Sequence, residues 1–165
     1  EPHSKLDQTL AGQIIEAGKG IIIVVTKTDL DHDDSDEILN NLERDFNFIP
    51  YAPVVLTSSE TGKNVTKIFE LAEQIDRARH AELKTSDLNK VLMAAVAAHP
   101  PAGLKNTHPK LRYMVQTDTC PPWFVVYGSN LSLLHWSYKR YLEGCLRDAF
   151  PFEGTPICFS FRNRD

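Results

Sequence analysis

At 165 residues, 42% hydrophobic and 24% charged, the chain is long enough to bury one sizeable core or two small ones, and its composition excludes a disordered or fibrous protein. Residues 1–80 carry 8 Lys+Arg against 15 Asp+Glu, whereas residues 81–165 carry 10 against 7, a surplus well short of a polybasic tail. The longest apolar run, Ile21 to Val25, falls far below the roughly 18 residues that span a bilayer, and no basic-then-apolar leader opens the chain, so a cytoplasmic protein with no membrane partner is expected.

The first half alternates helix and strand. Leu6, Leu10, Ile14 and Ala17 recur at helical spacing and mark an apolar face, which Gly18 and Gly20 bring to an end. Ile21 to Val25 reads as a buried strand. In DHDDSDEILNNLERDF, acidic residues and Ser35 stand where they favour the positive end of a helix, and Ile38, Leu42 and Phe46 form its apolar face. Pro53 to Thr57 is a second buried strand. From Val65 a third helix turns Ile68, Leu71, Ala72 and Ile75 inward. This αβαβα order predicts part of an open parallel sheet covered by helices, a fold whose ligands bind at the carboxyl ends of strands. Both polar turns, TKTD and TSSETG, fall at such ends.

The charged stretch DRARHAELKT places a domain boundary near Ala81, giving domains 1–81 and 82–165. Leu88, Val91, Leu92, Ala95 and Val96 form a helix face that Pro100 and Pro101 terminate. Leu111, Tyr113 and Val115 alternate with Arg112, Met114 and Gln116 in one strand, and WFVVYGS forms the next. A long helix is predicted from about Ser132 to Phe150, with Leu134, Tyr138, Leu142, Cys145 and Ala149 on one stripe. TPICFSFRNR closes as a strand with Ile157, Phe159 and Phe161 inward, and Pro156 suggests an edge position. The order αββαβ describes an α+β module. Trp123 and Trp136, with Tyr113, Tyr127, Tyr138 and Tyr141, could stack on bases, but at these strand and helix spacings they read first as core. Cys120, Cys145 and Cys158, odd in number and without a C-x-x-C pair, read as buried small hydrophobes.

Chemistry concentrates after the first strand, where Lys27 and Asp29 flank Thr28. The spacing alone is weak, since Lys5, Leu6 and Asp7 repeat it, and an Asp after a strand often does no more than cap local backbone groups. A carboxylate there can also accept paired hydrogen bonds from N1–H and the exocyclic amine of guanine, a donor pair that adenine lacks on that edge. A lysine two residues earlier can lay its stem over the purine face with its ammonium in water. TSSETG supplies a second loop to close on the base edge. A calcium loop starting at Asp29 requires Gly at 34 and Glu at 40, where Asp34 and Asn40 stand, and the six histidines form no H-x-x-x-H pair.

Thr26-Lys27-Thr28-Asp29 resembles the guanine-specificity motif [NT]KxD of P-loop GTPases, and Thr57-Ser58-Ser59 the loop that follows it. AGQIIEAGKGIIIVVTKTDL, TSSETGKNV, LRYMVQTDTCPPWFVVYGSN and SYKRYLEGCLRDAFPFEGTPICFSFRNR together resemble the C-terminal part of the Der/EngA family of bacterial GTPases. That family has two G domains in tandem and a KH-like domain, and acts in assembly of the large ribosomal subunit. The resemblance implies that residues 1–81 are the back half of the second G domain and residues 82–165 the KH-like domain. It implies a guanine-base site for GTP or GDP at Thr26, Lys27, Asp29, Ser58 and Ser59. The implied partners are the large subunit or its rRNA, reached through the parent protein, and the N-terminal G domain of the same parent chain.

Departures accompany the likeness: Thr26 stands where the family has Asn, and Ser59 where it has Ala. No G-x-x-x-x-G-K-[ST] and no D-x-x-G occurs, so the sequence offers neither a phosphate cradle nor a ligand for the Mg²⁺ of the parent protein. The parent is expected to be a GTPase and this chain alone to be inactive, with no catalytic residue of its own. The alternative is a non-catalytic RNA- or ribosome-binding module, although the G-x-x-G loop of ordinary KH domains is absent. A small enzyme using Asp29 as a general base lacks any partner acid or nucleophile.

Overall fold

The computed structural model describes residues 4–29, 35–104 and 107–164. The chain divides into two compact units, Glu1–Arg79 with Phe152–Pro156, and His80–Pro151 with Ile157–Asp165. The fold is mixed α/β, with a small parallel sheet in the first unit and a mixed three-stranded sheet in the second.

Unit 1 contains α1 (Lys5–Glu16), β1 (Ile23–Val25), α2 (Ser35–Asp45), β2 (Val54–Leu56) and α3 (Val65–His80). Ser4 opens α1 with a capping box: its Oγ accepts from Asp7 N at 3.3 Å, and Asp7 Oδ2 accepts from Ser4 N at 2.7 Å. At the other end Gly18, at φ +64, lets its own N–H bond Ile15 O and the Lys19 N–H bond Ile14 O. These two bonds satisfy carbonyls that the helix leaves free, so the glycines end a helix here instead of opening one on a phosphate.

Strands β1 and β2 pair in parallel, Ile23 opposite Val54 and Val25 opposite Leu56. Both are shorter than the sequence predicts, and β1 is not buried: Val24 is 37% exposed. Ile21, Ile23 and Val25 face the core cluster, so the alternating Ile22 and Val24 point to the opposite face of the sheet, where Val24 is exposed. The same openness overturns the predicted face of α1. Leu6, Leu10 and Ile14 are 66%, 47% and 37% exposed, while Ala11 and Ile15 turn inward to pack with Ile21, Leu42, Phe46 and Ile49. Helix α2 packs as expected through Ile38 and Leu42, with Phe46 just beyond its end. Its predicted acidic start, Asp31 to Asp34, lies outside the described residues. In α3, Ile75 is buried and Ile68 and Leu71 half-buried, but Ala72 is exposed.

A strap from far along the chain completes this unit. Ile21 N donates to Gly154 O at 2.8 Å, and Gly154 N donates to Tyr51 O at 2.7 Å. Arg79 Nη1 donates to Gly18 O at 2.8 Å and to Thr155 Oγ1 at 3.4 Å, and Thr155 is fully buried. Gly154 has φ +67, and a Cβ there would stand 2.3 Å from Ile75 Cδ1.

Unit 2 contains α4 (Thr85–Ala98), β3 (Lys110–Asp118), β4 (Trp123–Ser129), α5 (Trp136–Ala149) and β5 (Cys158–Asn163). The strand order is β3-β4-β5, with β3 antiparallel and β5 parallel to β4. Helix α4 buries Leu88, Leu92 and Ala95 and satisfies the outer edge of β3 with one side chain. Asn89 Nδ2 donates to Met114 O and Met114 N donates to Asn89 Oδ1, each at 2.9 Å, as a neighbouring strand would. A bulge between Leu111 and Tyr113 breaks the predicted alternation, which is why Leu111 and Met114 are both buried.

The predicted long helix is two pieces. Asn130 takes a left-handed conformation, a 3₁₀ turn spans Leu131–Leu133, and His135 then caps α5, its Nδ1 accepting from Ser137 N at 3.3 Å. Leu134 and Leu142 are buried and Tyr138 and Cys145 half-buried, but Ala149 is exposed. Strand β5 is an edge strand, as expected, but begins only at Cys158, because Phe152–Pro156 belongs to unit 1. Phe159 and Phe161 are half-buried, and the three cysteines are half-buried instead of buried. Burial, and then the Glu143 carboxylate, push the Cys158 thiol pKa up. Trp123 and Trp136 are 40% and 59% exposed, against the core reading.

Gly154→Ala should cost about 2–4 kcal/mol, from the left-handed backbone and the overlap with Ile75 together, read as a lower urea midpoint. A second expectation concerns pH. Burial, then Tyr141 and Cys145, push the Tyr138 phenol from 10.0 up to about 12. Between those values the unfolded chain loses this proton while the folded chain keeps it, so the contribution is complete below pH 10 and lost as pH rises toward 12. Tyr138→Phe, which also removes the bond to His99 O, should lower stability at neutral pH and flatten its fall over that window; urea unfolding at stepped pH measures both.

Candidate nucleotide-base site

The loops that leave β1 and β2 lie side by side because the strands are adjacent and parallel. Backbone bonds then lock them together. Thr57 N donates to Val25 O at 2.7 Å, and Thr57 Oγ1 reaches the same carbonyl at 3.1 Å. In the other direction, Thr28 N and Thr28 Oγ1 both donate to Thr57 O, at 3.2 and 3.1 Å. The Thr57 hydroxyl and carbonyl thus tie the end of one strand to the turn after the other.

The second loop is braced from within. Ser58 is 1% exposed; its N–H donates to Lys63 O at 3.2 Å, and its Oγ accepts from Thr61 N at 3.2 Å. Asn64, itself at φ +57, donates from Nδ2 to Leu56 O at 2.9 Å and closes the loop back onto β2. Buried backbone that finds such partners holds a loop in one shape without a ligand.

Against this frame the five sequence-predicted residues divide into two groups. Ser58 is buried and serves the loop's own hydrogen bonds. Thr26, Lys27, Asp29 and Ser59 are exposed, and none has a side-chain hydrogen bond or ion pair among the described residues. Lys27 takes a left-handed conformation, φ 60, which an L residue with a long side chain adopts at a cost of about 1–2 kcal/mol. Strain of this kind collects at sites held in shape for a ligand. The structure brings the turns of all five together at the carboxyl ends of two strands, where α/β sheets bind ligands.

The bracing residues Thr28, Thr57 and Asn64 do not stand out in the sequence, because a threonine or asparagine in a polar turn is ordinary. The carboxylate, the lysine stem and the second loop suit a guanine base chemically. Among the described residues no group of three or more His, Cys, Asp or Glu side chains that could hold a metal occurs.

Comparison with known proteins gives the lineage. Residues 82–162 match the family described as the KH-domain-like domain of EngA bacterial GTPase enzymes, C-terminal. The chain is 40% identical over 163 residues to GTPase Der of Chloroflexus aggregans, covering 96% of this chain and 36% of that protein. It is 38% identical over 170 residues to GTPase Der of Thermomicrobium roseum, covering 100% and 37%. GTPase Der of Lactococcus lactis is 40% identical over 161 residues, covering 96% and 37%. A solved structure of Aquifex aeolicus Era bound to GDP.AlF4- covers 97% of this chain and 60% of its own at 12% identity, with a TM-score of 0.36, too loose a likeness to argue from. The chain spans little more than a third of the length of these relatives, and it belongs to the Der/EngA family, with that family's C-terminal KH-like domain at residues 82–162.

Proposed function

We propose that this chain supplies the base-reading half of a GTPase's nucleotide site together with a KH-like docking domain, in a cytoplasmic protein that acts in assembly of the large ribosomal subunit. The observation that carries the reading is the pair of loops tied through Thr57, which leaves Asp29 and Lys27 exposed and without side-chain partners among the described residues. Asp29 accepts the N1–H and amine donors of guanine, and the Lys27 stem covers the purine face. Ser59 offers its backbone N–H to the base edge, Ser58 holds that loop in shape through its bonds to Lys63 and Thr61, and Thr26 stands exposed beside Lys27.

GTP or GDP is held here by its base alone; the phosphates and Mg²⁺ fall to other parts of the parent protein. Residues 1–81 act as the back half of a G domain, into which Phe152–Pro156 is bonded, and residues 82–165 act as the KH-like domain. The edge of β1 away from β2, which has no strand neighbour among the described residues, and the exposed Leu6, Leu10 and Ile14 support this division, since an apolar stripe beside an open strand edge suits another strand and its covering side chains. The parent's N-terminal G domain and the large subunit or its rRNA are the proposed partners, and the KH-like half docks instead of reading sequence.

Two measurements test this. The purified chain should not turn over GTP above background, since nothing in it cradles the phosphates during transfer; turnover abolished by Asp29→Asn would overturn the assignment. In a full-length protein that joins this chain to the remainder of a GTPase Der relative, Asp29→Asn sets an amine against a guanine donor, at a cost of about 1–3 kcal/mol. That variant should come to prefer XTP over GTP in a binding titration. An unchanged ratio would show that Asp29 does not read the base.

A further inference from the structure

The sheet of unit 2 has two unlike faces. On β4, Phe124 and Val126 are fully buried, whereas Trp123, Val125 and Tyr127 point the other way. Cross-strand pairing extends that second face: Tyr127 lies opposite Tyr113 on β3 and opposite Arg162 on β5, and Val125 lies opposite Ser160. The Tyr113 and Tyr127 rings stack with centroids 4.7 Å apart and planes 15° from parallel. Trp123 is 40% exposed and oriented, its Nε1 donating to Ser160 Oγ at 2.9 Å.

Between Trp123 and Tyr127, with Val125 at its base and Ser160 and Arg162 along one side, lies a cavity of about 260 Å³. That is smaller than the roughly 300–1,000 Å³ of a site for a drug-sized ligand and suits a single ring. Arg162 lines it, and Arg164 and Lys110 lie further along the same face. Arg162 and Arg164 are exposed; the Arg164 guanidinium lies 5.9 Å from the Tyr113 ring centroid and donates to its hydroxyl. Lys110 stands opposite Ser129 on the same face. Asp118 is the one acidic group lining the cavity. Flat rings held in place, a rim of guanidinium groups and a shallow slot match a chain of alternating aromatic bases and phosphates better than a peptide, which would need a longer apolar groove.

We propose that this open sheet face is a stacking platform for single-stranded nucleic acid, with bases on Trp123 and Tyr127 and phosphates on Arg162 and Arg164. Stacking of this kind tolerates any base, because every base offers a π face. The platform therefore gives the KH-like half contact with a single strand and no reading of its sequence. It needs neither a G-x-x-G loop nor the guanine site, and stands or falls independently of the nucleotide reading.

The test is fluorescence anisotropy of labelled ten-nucleotide oligo-U RNA, with oligo-dT DNA as a second arm, on the intact 165-residue chain at low salt. Micromolar binding in either arm is expected. Trp123→Ala and Tyr127→Ala should each weaken it about ten-fold or more, and Trp123→Phe by no more than about three-fold. Arg162→Glu, an exposed change that leaves the folded core alone, should also weaken binding, and Arg162→Ala should lower the slope of log affinity against log salt by about one. Lys90→Ala, on α4, should change nothing. The proposal is overturned if neither oligonucleotide binds at about 100 μM protein. It is equally overturned if binding survives both Tyr127→Ala and Arg162→Glu in variants whose circular dichroism matches the parent.

Discussion

Unit 1 is organised by the need to find partners for the backbone of β1. A parallel pair with three residues to a strand is too little sheet to stand by itself, so its ends are secured from outside the ladder. At the entrance Ile21 gives its N–H to Gly154; within the strand Ile23 bonds Pro53; at the exit Val25 O receives both the amide and the hydroxyl of Thr57. Remove any of these and a buried polar group is left unsatisfied beside Ile49 and Val55, which are 1% and 2% exposed. The hydrophobic cluster below the strands depends on the same bonds, because Ile21, Ile23 and Val25 reach it only in this register.

The bonds that end the strand also shape the polar loops. Thr57 serves the sheet through its amide and the first loop through its carbonyl, so the two loops have little freedom to move apart. A base reader gains from that economy: a carboxylate fixed before its ligand arrives loses less freedom on binding. In unit 2 the side chains of Asn89 and Gln116 play the corresponding part. They stand in for backbone partners at the edge of β3 and at Ala81 and Leu83.

Much of the architecture was legible in the sequence because helical and strand periods differ. Each of the ten helices and strands among the described residues lies within a stretch that the sequence marks out, although β1, β2, α5 and β5 are shorter than expected, and both polar turns fall at strand ends. What escaped had physical causes. The stripe Leu6, Leu10, Ile14 marks a face fit for covering, but periodicity does not say what covers it. A bulge at Leu111 and a left-handed Asn130 are single-residue events that apolar spacing cannot register. Trp123 and Tyr127 sit at the same strand spacing as buried residues, and only the pairing of β4 with β3 and β5 shows which face is open. At the candidate site the charged pair stood out by chemistry and resemblance, whereas its bracing by Thr28, Thr57 and Asn64 depends on contacts up to 32 residues apart.

The strap has a consequence for the order of events during synthesis. Ile21, Tyr51 and Arg79 are made long before Gly154 and Thr155, and the bonds that join them close loops of roughly a hundred residues. A ribosome adding about 5–20 residues per second exposes the first unit for several seconds without its last partners, with Ile21 N and Tyr51 O bonded only to water. The intervening residues belong to the second unit, which must take shape in that interval without the stretch that follows Ile157. Chaperones that shield apolar helices, and the exposed Leu10 and Ile14 in particular, have their longest opportunity then.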